Sequence, residues 1–312
     1  MAGFQQLRVT RKVDFRGAVK VGLGYPITKG KVLYVDSRSW GVGASGRDGL
    51  DPDYPLNTMA NAYALCTAGN GDYIFLLDGY DNDTATLTIA KTNLHIIGLG
   101  SKSHSAPYVW LLTNGDGSAA VFTLKGGDAA NCEIAGFTLG GDASHPCITS
   151  AAGTSTNLVY GWIHDCAFAS TNDTAFVAQD GIAPASGGNI DGTLIEDCTF
   201  GDQLTRDGIR FIDMYGGLIR NNIFRLYGGV GVHQITGGHS TGMPDVIGNK
   251  FYQSSSGAEG CAITTTDAGG GMMDDNHAME DTANPGNNPY QEGTGSNAWG
   301  LNYSGDAVTY PA

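Results

Sequence analysis

The sequence predicts an all-β protein, a single right-handed parallel β-helix of about seven coils with a short capping helix near the N-terminus. Three observations predict it: a strand motif that recurs at variable spacing, 48 glycines in 312 residues, and one amphipathic helical segment. That glycine content is about twice ordinary usage. Charged residues make up 15% and hydrophobic residues 41%, a composition that argues against a helical bundle and against a disordered chain.

The strand motif consists of an aliphatic residue, a small or amide residue three positions later and a phenylalanine two positions after that. Clear copies begin at Ile163, Ile195, Ile219 and Val246, and degraded copies begin at Leu94, Cys132 and Met273. One such unit is too short to bury its own apolar face, so copies are expected to stack at about 4.8 Å per strand. The middle positions, including Cys166, Cys198, Asn222 and Asn249, are expected to form one inward-facing ladder.

A second series of apolar positions alternates with the first and predicts another strand in each coil. Its members are Ile148, Ile182, Ile209, Val232, Ile263 and Leu301. Short strands bounded by glycine-rich turns fit both series, and helical periodicity is nearly absent.

One helix is predicted between Pro55 and Cys66, where apolar residues recur at helical spacing. Gly69 and Gly71 are expected to end it before the apolar strand that starts at Tyr73. Such a helix would cover the open edge of the first coil. The predicted organisation is a basic attachment arm over 1–38, a loop and capping helix over 39–72, and a β-helix body with a C-terminal loop and cap over 73–312.

Charge is distributed unevenly between the arm and the body. Residues 1–38 hold eight basic and two acidic residues, a net charge of +6, whereas the rest of the chain has a net charge of −20. The body should therefore repel nucleic acid and anionic membranes. The candidate docking residues are Arg8, Arg11, Lys12, Arg16 and Lys20. They alternate with apolar residues, so the arm could add a strand to a partner's sheet; the alternative is an edge strand kept soluble by its charges.

Targeting and metal motifs are not predicted. Met1 is followed by a polar, basic stretch, so we expect no signal peptide, and no apolar run reaches the length of a membrane span. The six cysteines lack CxxC spacing, which argues against zinc and favours buried thiols.

Asp180 and Asp207 are the candidates for catalysis, because each precedes an aliphatic strand position by two residues and the two should lie in adjacent coils. Two carboxylates that close would raise one pKa, as an acid/base pair requires. Arg210 and His233 should also be neighbours, but strand alternation places them on the opposite face. An Asp-Gly turn explains the same residues without catalysis, so no catalytic residue is favoured.

Two further sets of residues have alternative interpretations. Asp165, Asp197 and Asn221 share one repeat position, which fits either a calcium site or a solvated turn. No other cofactor or metal is expected. Trp40, Trp110 and Trp162 could stack on sugar rings, or could pack against the helix or between subunits.

The segments Lys31–Asp36, Arg47–Pro52, Pro55–Thr58 and Ala68–Gly79 resemble the leading region of pectate lyase-like parallel β-helix proteins. The resemblance is greatest to versions encoded in tailed-phage structural gene clusters. It implies the fold for the whole chain, but the fold serves lyases, hydrolases, tailspikes and passive virion parts alike. Enzymes of this family carry a calcium cluster with a nearby base, or aspartates with an Arg-x-Lys motif, and the Arg-x-Lys motif is missing here.

The expected function is therefore that of a structural phage virion protein, a capsid decoration or head spike made in the host cytoplasm and placed on the virion surface. Its expected partners are a capsid or other virion protein and two further copies of itself in a homotrimer. The alternatives are a tailspike-like polysaccharide depolymerase and a non-catalytic module that binds a host surface glycan.

Overall fold

The computed structural model describes residues 30–37, 43–77, 80–81, 86–99, 109–112, 120–141, 143–151, 160–169, 177–185, 190–226, 229–235, 242–253, 262–265, 270–279, 289–292, 297–304 and 307–309. Over these ranges it contains one α-helix, α1 (Met59–Leu65), and a 3-10 turn over Gly126–Ala129; the rest of its regular structure is β. Within the described ranges, no helix has the length and apolar character needed to cross a membrane.

The strands are short, two to four residues each. The first half of the chain contributes β1 (Val32–Val35), β2 (Tyr73–Leu76), β3 (Tyr80–Asp81), β4 (Leu87–Ile89), β5 (His95–Gly98), β6 (Val109–Leu112), β7 (Phe122–Leu124), β8 (Glu133–Ala135), β9 (Phe137–Gly140), β10 (Ile148–Ser150), β11 (Trp162–His164) and β12 (Ala167–Phe168). The second half contributes β13 (Leu194–Glu196), β14 (Thr199–Phe200), β15 (Ile209–Phe211), β16 (Leu218–Arg220), β17 (Ile223–Leu226), β18 (Val232–Gln234), β19 (Asp245–Ile247), β20 (Lys250–Gln253), β21 (Ile263–Thr265), β22 (Met272–Asp274), β23 (His277–Ala278), β24 (Tyr290–Glu292), β25 (Ala298–Trp299), β26 (Asn302–Ser304) and β27 (Ala307–Thr309).

The strands form three stacks, which we call sheets A, B and C. Sheet A has the order β1-β2-β5-β8-β11-β13-β16-β19-β22-β25, and sheet B runs from β3 through β6, β9, β12, β14, β17, β20, β23 and β26 to β27. Sheet C comprises β4-β7-β10 and β15-β18-β21-β24, linked by parallel bridges from Ile182 to Ile148 and to Ile209. From β2 onward the chain visits A, B and C in that order. Apart from the antiparallel β26–β27 pair the strand pairs are parallel, a topology consistent with the predicted β-helix.

The seven copies of the strand motif correspond to seven of the ten strands in sheet A, and β1, β2 and β25 add to the sheet outside those copies. The predicted alignment is confirmed from Ile163 onward, through Ile195, Ile219 and Val246 to Met273. For the two earliest copies the alignment was wrong by two residues.

In those two copies, the residues paired in register with Ile163 are Ile134 and Ile96, and not Cys132 and Leu94. The reason lies in the register of the next strand. Thr138 pairs with Ala167, so Phe137, one residue earlier, occupies the position of Cys166 and not that of Phe168. A shift of two residues preserves the inside–outside alternation of a strand, so the pattern alone could not reveal it.

The second series is confirmed from Ile148 through Ile182, Ile209 and Val232 to Ile263. Its predicted last member, Leu301, was wrong. Tyr290 pairs with Ile263 in sheet C, whereas Trp299, two residues before Leu301, pairs with Met273 in sheet A. The mistake arose because β24 lies inside residues 281–297, whose Asn, Gly and Pro content predicts the C-terminal loop.

A ladder of phenylalanines fills the corner between sheets B and C. Phe168, Phe200, Phe224 and Phe251 stack with ring centroids 4.6–4.7 Å apart and planes within 10°. Three of the rings have a glycine opposite them. A β-carbon at Gly181 would lie 2.5 Å from Phe200 Cδ1, one at Gly208 would lie 2.7 Å from Phe224 Cδ1, and one at Gly231 would lie 2.3 Å from Phe251 Cε1. The glycines of the second series are therefore required by the packing.

An amide ladder runs between sheets A and B, at the position that the sequence predicted. The Oδ1 of Asn249 accepts hydrogen bonds from the backbone N and Nδ2 of Asn222, at 2.9 and 3.0 Å. Asn249 in turn donates to Asn276, and Asn276 donates to Asn302. These amides are completely buried. Because every buried amide group has a partner, the ladder costs little desolvation and aligns successive coils.

The N-terminal end of the stack is covered by the helix and by the loop before it. Helix α1 begins after Thr58, whose hydroxyl accepts from Asn61 N at 3.1 Å, and buries Met59 and Ala62. It starts four residues after Pro55, later than predicted. The outer edge of β1 is also occupied, since Tyr34 N donates to Gly49 O and Tyr34 O accepts from Leu56 N. Strand β1 itself lies within the segment 1–38 that the sequence assigned to the arm.

The glycine–phenylalanine contact predicts the effect of one added methyl group. Gly208→Ala is expected to lower the free energy of unfolding by about 1–3 kcal/mol, because the methyl group would overlap the Phe224 ring and the carbonyl of Gly231. Gly46→Ala is the matched control, since a β-carbon there meets nothing within 4 Å. Urea denaturation of both variants measures the difference, and equal stability would contradict this packing.

Candidate functional site

The docking residues Arg8, Arg11, Lys12, Arg16 and Lys20 lie outside the described residues, as does Trp40. Of Trp110 only the backbone is described, in β6. The third tryptophan, Trp162, lies on the outer face of sheet A. Its ring stacks on His164 with centroids 3.9 Å apart, and its Nε1 donates to Glu196 Oε1 at 2.8 Å. One face of this candidate sugar platform is thus covered by an imidazole.

Asp180 and Asp207 lie in adjacent coils, as predicted, at the turns that lead into sheet C. Both side chains are almost completely buried. Asp180 accepts two hydrogen bonds from the guanidinium of Arg206, through Nε at 2.8 Å and through Nη2. Its Oδ1 also accepts from the backbone N of Asp207 at 3.1 Å. Asp180 therefore joins its own coil to the next.

Asp207 repeats this role one coil further along. Its Oδ1 accepts from Val230 N at 2.9 Å, and its Oδ2 accepts from Arg210 Nη1 at 2.8 Å and contacts His233 Nδ1 at 2.9 Å. The prediction that Arg210 and His233 face away from the aspartates was wrong. Alternation holds only along an extended strand, and Asp207 lies before β15, where the backbone turns at Gly208.

These contacts bear on the predicted acid/base pair. Burial by itself would raise the pKa of Asp207, but the hydrogen bond and charge of His233, with the donors from Val230 and Arg210, outweigh burial and lower it. A general acid needs the opposite shift. The arrangement binds the two carboxylates to the turns and holds Asp207 ionised.

The backbone conformation at one turn position gives a different explanation for the suggested calcium ligands. Asp165, Asp197 and Asn221 have φ of 54°, 53° and 56°, and Gly136 and Gly248 are left-handed at the turns of other coils. Asp, Asn and Gly are the residues that tolerate this conformation. Over the described ranges, no group of three or more His, Cys, Asp or Glu side chains is arranged to hold a metal ion.

A second cluster of ionisable groups lies on the outer face of sheet A, and sequence reasoning missed it. Glu133 is 2% exposed and lies between two imidazoles: His95 Nδ1 is 2.6 Å from its Oε2, and His164 Nε2 is 2.9 Å from its Oε1. The other nitrogen of His164 is 2.9 Å from Asp165 Oδ2. Tyr73 stacks on the His95 ring with centroids 4.1 Å apart.

The signal for this cluster was present in the repeat. Aligning Ile96 with Ile134 and Ile163 places His95 directly beside Glu133 and places His164 beside Ala135. The two-residue error does not explain why the cluster was missed, because the two earliest copies shift together and His95 stays beside Glu133 in either alignment. The positions beside the aliphatic column, where His95 and Glu133 lie, share no residue type along the repeat that would mark a pair.

The buried position and the mutual contacts shift both partners strongly. Burial opposes ionisation of Glu133, but the hydrogen bonds from His164 and His95 prevail and hold its pKa at about 2. Burial also disfavours charge on His164, but the hydrogen bonds to Asp165 and Glu133 raise its pKa to about 9. At neutral pH, therefore, His164 is an imidazolium between two carboxylates.

The pKa of His164 predicts an alkaline loss of stability. Because this pKa is about 9 in the folded chain and 6.5 as the ordinary value, its contribution is complete below about pH 6.5 and is lost as the pH rises to about 9. Glu133 acts in the opposite direction: its contribution is complete above about pH 4.5 and is lost as the pH falls to about 2.

We expect wild-type protein to lose on the order of 2 kcal/mol more unfolding free energy between about pH 6 and pH 9 than His164→Gln does. Urea titrations at both pH values measure this difference. His277→Gln, which alters an exposed histidine of β23, is the control and should keep the wild-type loss. An identical pH response of His164→Gln and wild type would contradict the charged contact.

No protein-family profile matches the chain, and no curated protein sequence matches it. Among solved structures, the chain is similar to ORF18 of Geobacillus virus E2, with a TM-score of 0.41 and 13% identity over 87% of this chain and 61% of that one. It is similar to an alginate lyase from Paenibacillus sp. str. FPU-7, with a TM-score of 0.36 and 13% identity over 77% and 93% of the two chains. A rhamnogalacturonan lyase gives a TM-score of 0.33 and 14% identity over 91% and 65%. The chain thus spans less than two thirds of the first and third of these proteins, and at such identities none of their residue roles transfers to it.

Proposed function

We propose that this chain is a structural protein of a tailed-phage virion, a capsid decoration or head spike with a right-handed β-helix body. The observation that carries the proposal is the set of contacts made by the two candidate catalytic acids. Asp180 and Asp207 are buried, paired with Arg206 and Arg210, and bonded to the backbone of the next coil. Carboxylates used in this way support a rigid body and leave no free acid/base pair.

The winding and the attachment belong to the same proposal. Parallel crossovers between strands of one sheet are right-handed in about 98% of cases, which supports a right-handed coil. The leading segments resemble those of β-helix proteins from phage structural gene clusters. The +6 segment over 1–38 ahead of a −20 body supports docking of the arm onto an acidic virion protein. Assembly as a trimer on the virion surface completes the proposal.

The rival function is depolymerisation of a host polysaccharide. The observation that favours it is the contact between His95 and the buried Glu133, since a carboxylate on Nδ1 orients an imidazole as a general base. His95 is partly exposed, with 23% of its side chain accessible, and its Nε2 makes no hydrogen bond within the described residues. A third possibility is glycan binding without turnover.

The docking role is tested by neutralising three positions of the arm. Arg8→Gln, Arg11→Gln and Lys12→Gln together are expected to abolish association of the purified protein with particles that lack it, measured by co-sedimentation. The matched control removes three exposed charges from the body, with Lys125→Gln, Arg225→Gln and Lys250→Gln. This control should bind normally. Equal binding of both triple variants would refute docking through the arm.

The passive role is tested with the wild-type protein on host capsule and lipopolysaccharide. We expect no release of reducing ends. Release that disappears in His95→Gln, or in Asp207→Asn, would overturn the structural assignment in favour of a depolymerase.

A further inference from the structure

The outer face of sheet C carries a group of cationic side chains. Their contacts with the buried aspartates engage only some of their N–H donors. The outward-facing position of this sheet is occupied in successive coils by Arg210, His233 and Thr264. Arg206 lies at the turn that leads into the same face. The carboxylates beneath are at most 4% exposed, whereas the side chains of Arg206, Arg210 and His233 are 38%, 24% and 22% exposed. Negative charge therefore lies inside and positive charge faces solvent.

Most N–H donors of the two guanidinium groups make no hydrogen bond within the described residues. Each has five N–H donors in a planar fork. Arg206 uses Nε and Nη2 on Asp180, and Arg210 uses Nη1 on Asp207, so three of the ten donors are engaged within the described residues. The buried carboxylates hold the forks in place. Orientation before binding reduces the entropy that a ligand contact would otherwise cost.

The neighbouring groups along the column are compatible with an anion. In the coils before Arg210 the outward position is held by Thr149 and Ala183, and in the coils after His233 it is held by Thr264 and Gln291. None of these four described residues is acidic. An oxyanion beside Arg210 and His233 would therefore meet no negative side chain at these four positions.

We propose that Arg206, Arg210 and His233 form a binding site for an oxyanion, a carboxylate or phosphate group, on the outer face of sheet C. Guanidinium forks match both groups through paired N–H donors, and His233 Nε2 adds a third donor when the ring is protonated. The two arginines are anchored one coil apart, about 4.8 Å, which suits one group held between them. The site is independent of the arm and of its docking role.

The proposal is tested by calorimetric titration of the full chain with three probes: inorganic phosphate, trigalacturonate and neutral maltotriose. At least one of the two anions is expected to bind at millimolar concentrations, and maltotriose is not. Binding of phosphate alone would assign the site to a phosphate group, and binding of trigalacturonate alone would assign it to a sugar carboxylate. Failure of both anions to bind would overturn the proposal.

Arg210→Gln is expected to weaken binding about tenfold or more, the usual effect of losing a charged hydrogen-bond donor. Arg225→Gln is the matched control, because it removes one exposed positive charge from β17 of sheet B. Equal weakening by both variants would show a general charge effect and refute the site. Arg206→Lys keeps the charge but loses the fork, and several-fold weaker binding is expected; circular dichroism confirms the fold of each variant.

Discussion

The in-register stacking of coils is the constraint on which the rest of the molecule depends. A strand of three residues such as β13 can bury its single isoleucine only when the strands on both sides present isoleucine at the same height. The same alignment brings the phenylalanine rings to 4.6–4.7 Å and each amide to the next. Each residue of the repeat therefore lies in a column of equivalent residues from successive coils, and the register of the coils determines which side chains are its neighbours.

The turns between sheets add polar links that run in opposite directions. In the amide ladder the oxygen of a later coil accepts from the backbone of an earlier one, as Asn222 does from Cys198 N. In the aspartate turns the oxygen of the earlier coil accepts from the later backbone, as Asp180 does from Asp207 N. Both devices satisfy backbone donors that would otherwise be buried without partners. A side chain that resembles a catalytic acid in sequence can therefore be needed simply to close a turn.

Much of the fold was predictable from the sequence, because identical positions recur wherever the core is continuous. The copies from Ile163 onward gave the right pairing, and the series from Ile148 to Ile263 did as well. The earliest copies failed because Phe137 fills the ladder position held elsewhere by cysteine or asparagine. That displacement leaves His95 beside Glu133, because the two earliest copies shift together, so this contact was open to prediction from the repeat. The contacts of Arg210 and His233 with Asp207 were mispredicted for a different reason, because strand alternation was applied across a turn, where it does not hold.

Net charge was the weakest guide to the candidate site. A body of −20 predicted repulsion of nucleic acid and anionic membranes, and a summed charge does describe long-range repulsion. It does not describe a surface where acids point inward and their partners point outward. Asp180 and Asp207 contribute two of the negative charges, yet their carboxylates are buried beneath the guanidinium groups that neutralise them. A ligand that approaches sheet C meets the guanidinium N–H groups first. At short range the order of the charges along its path, and not their sum, decides whether an oxyanion is held there.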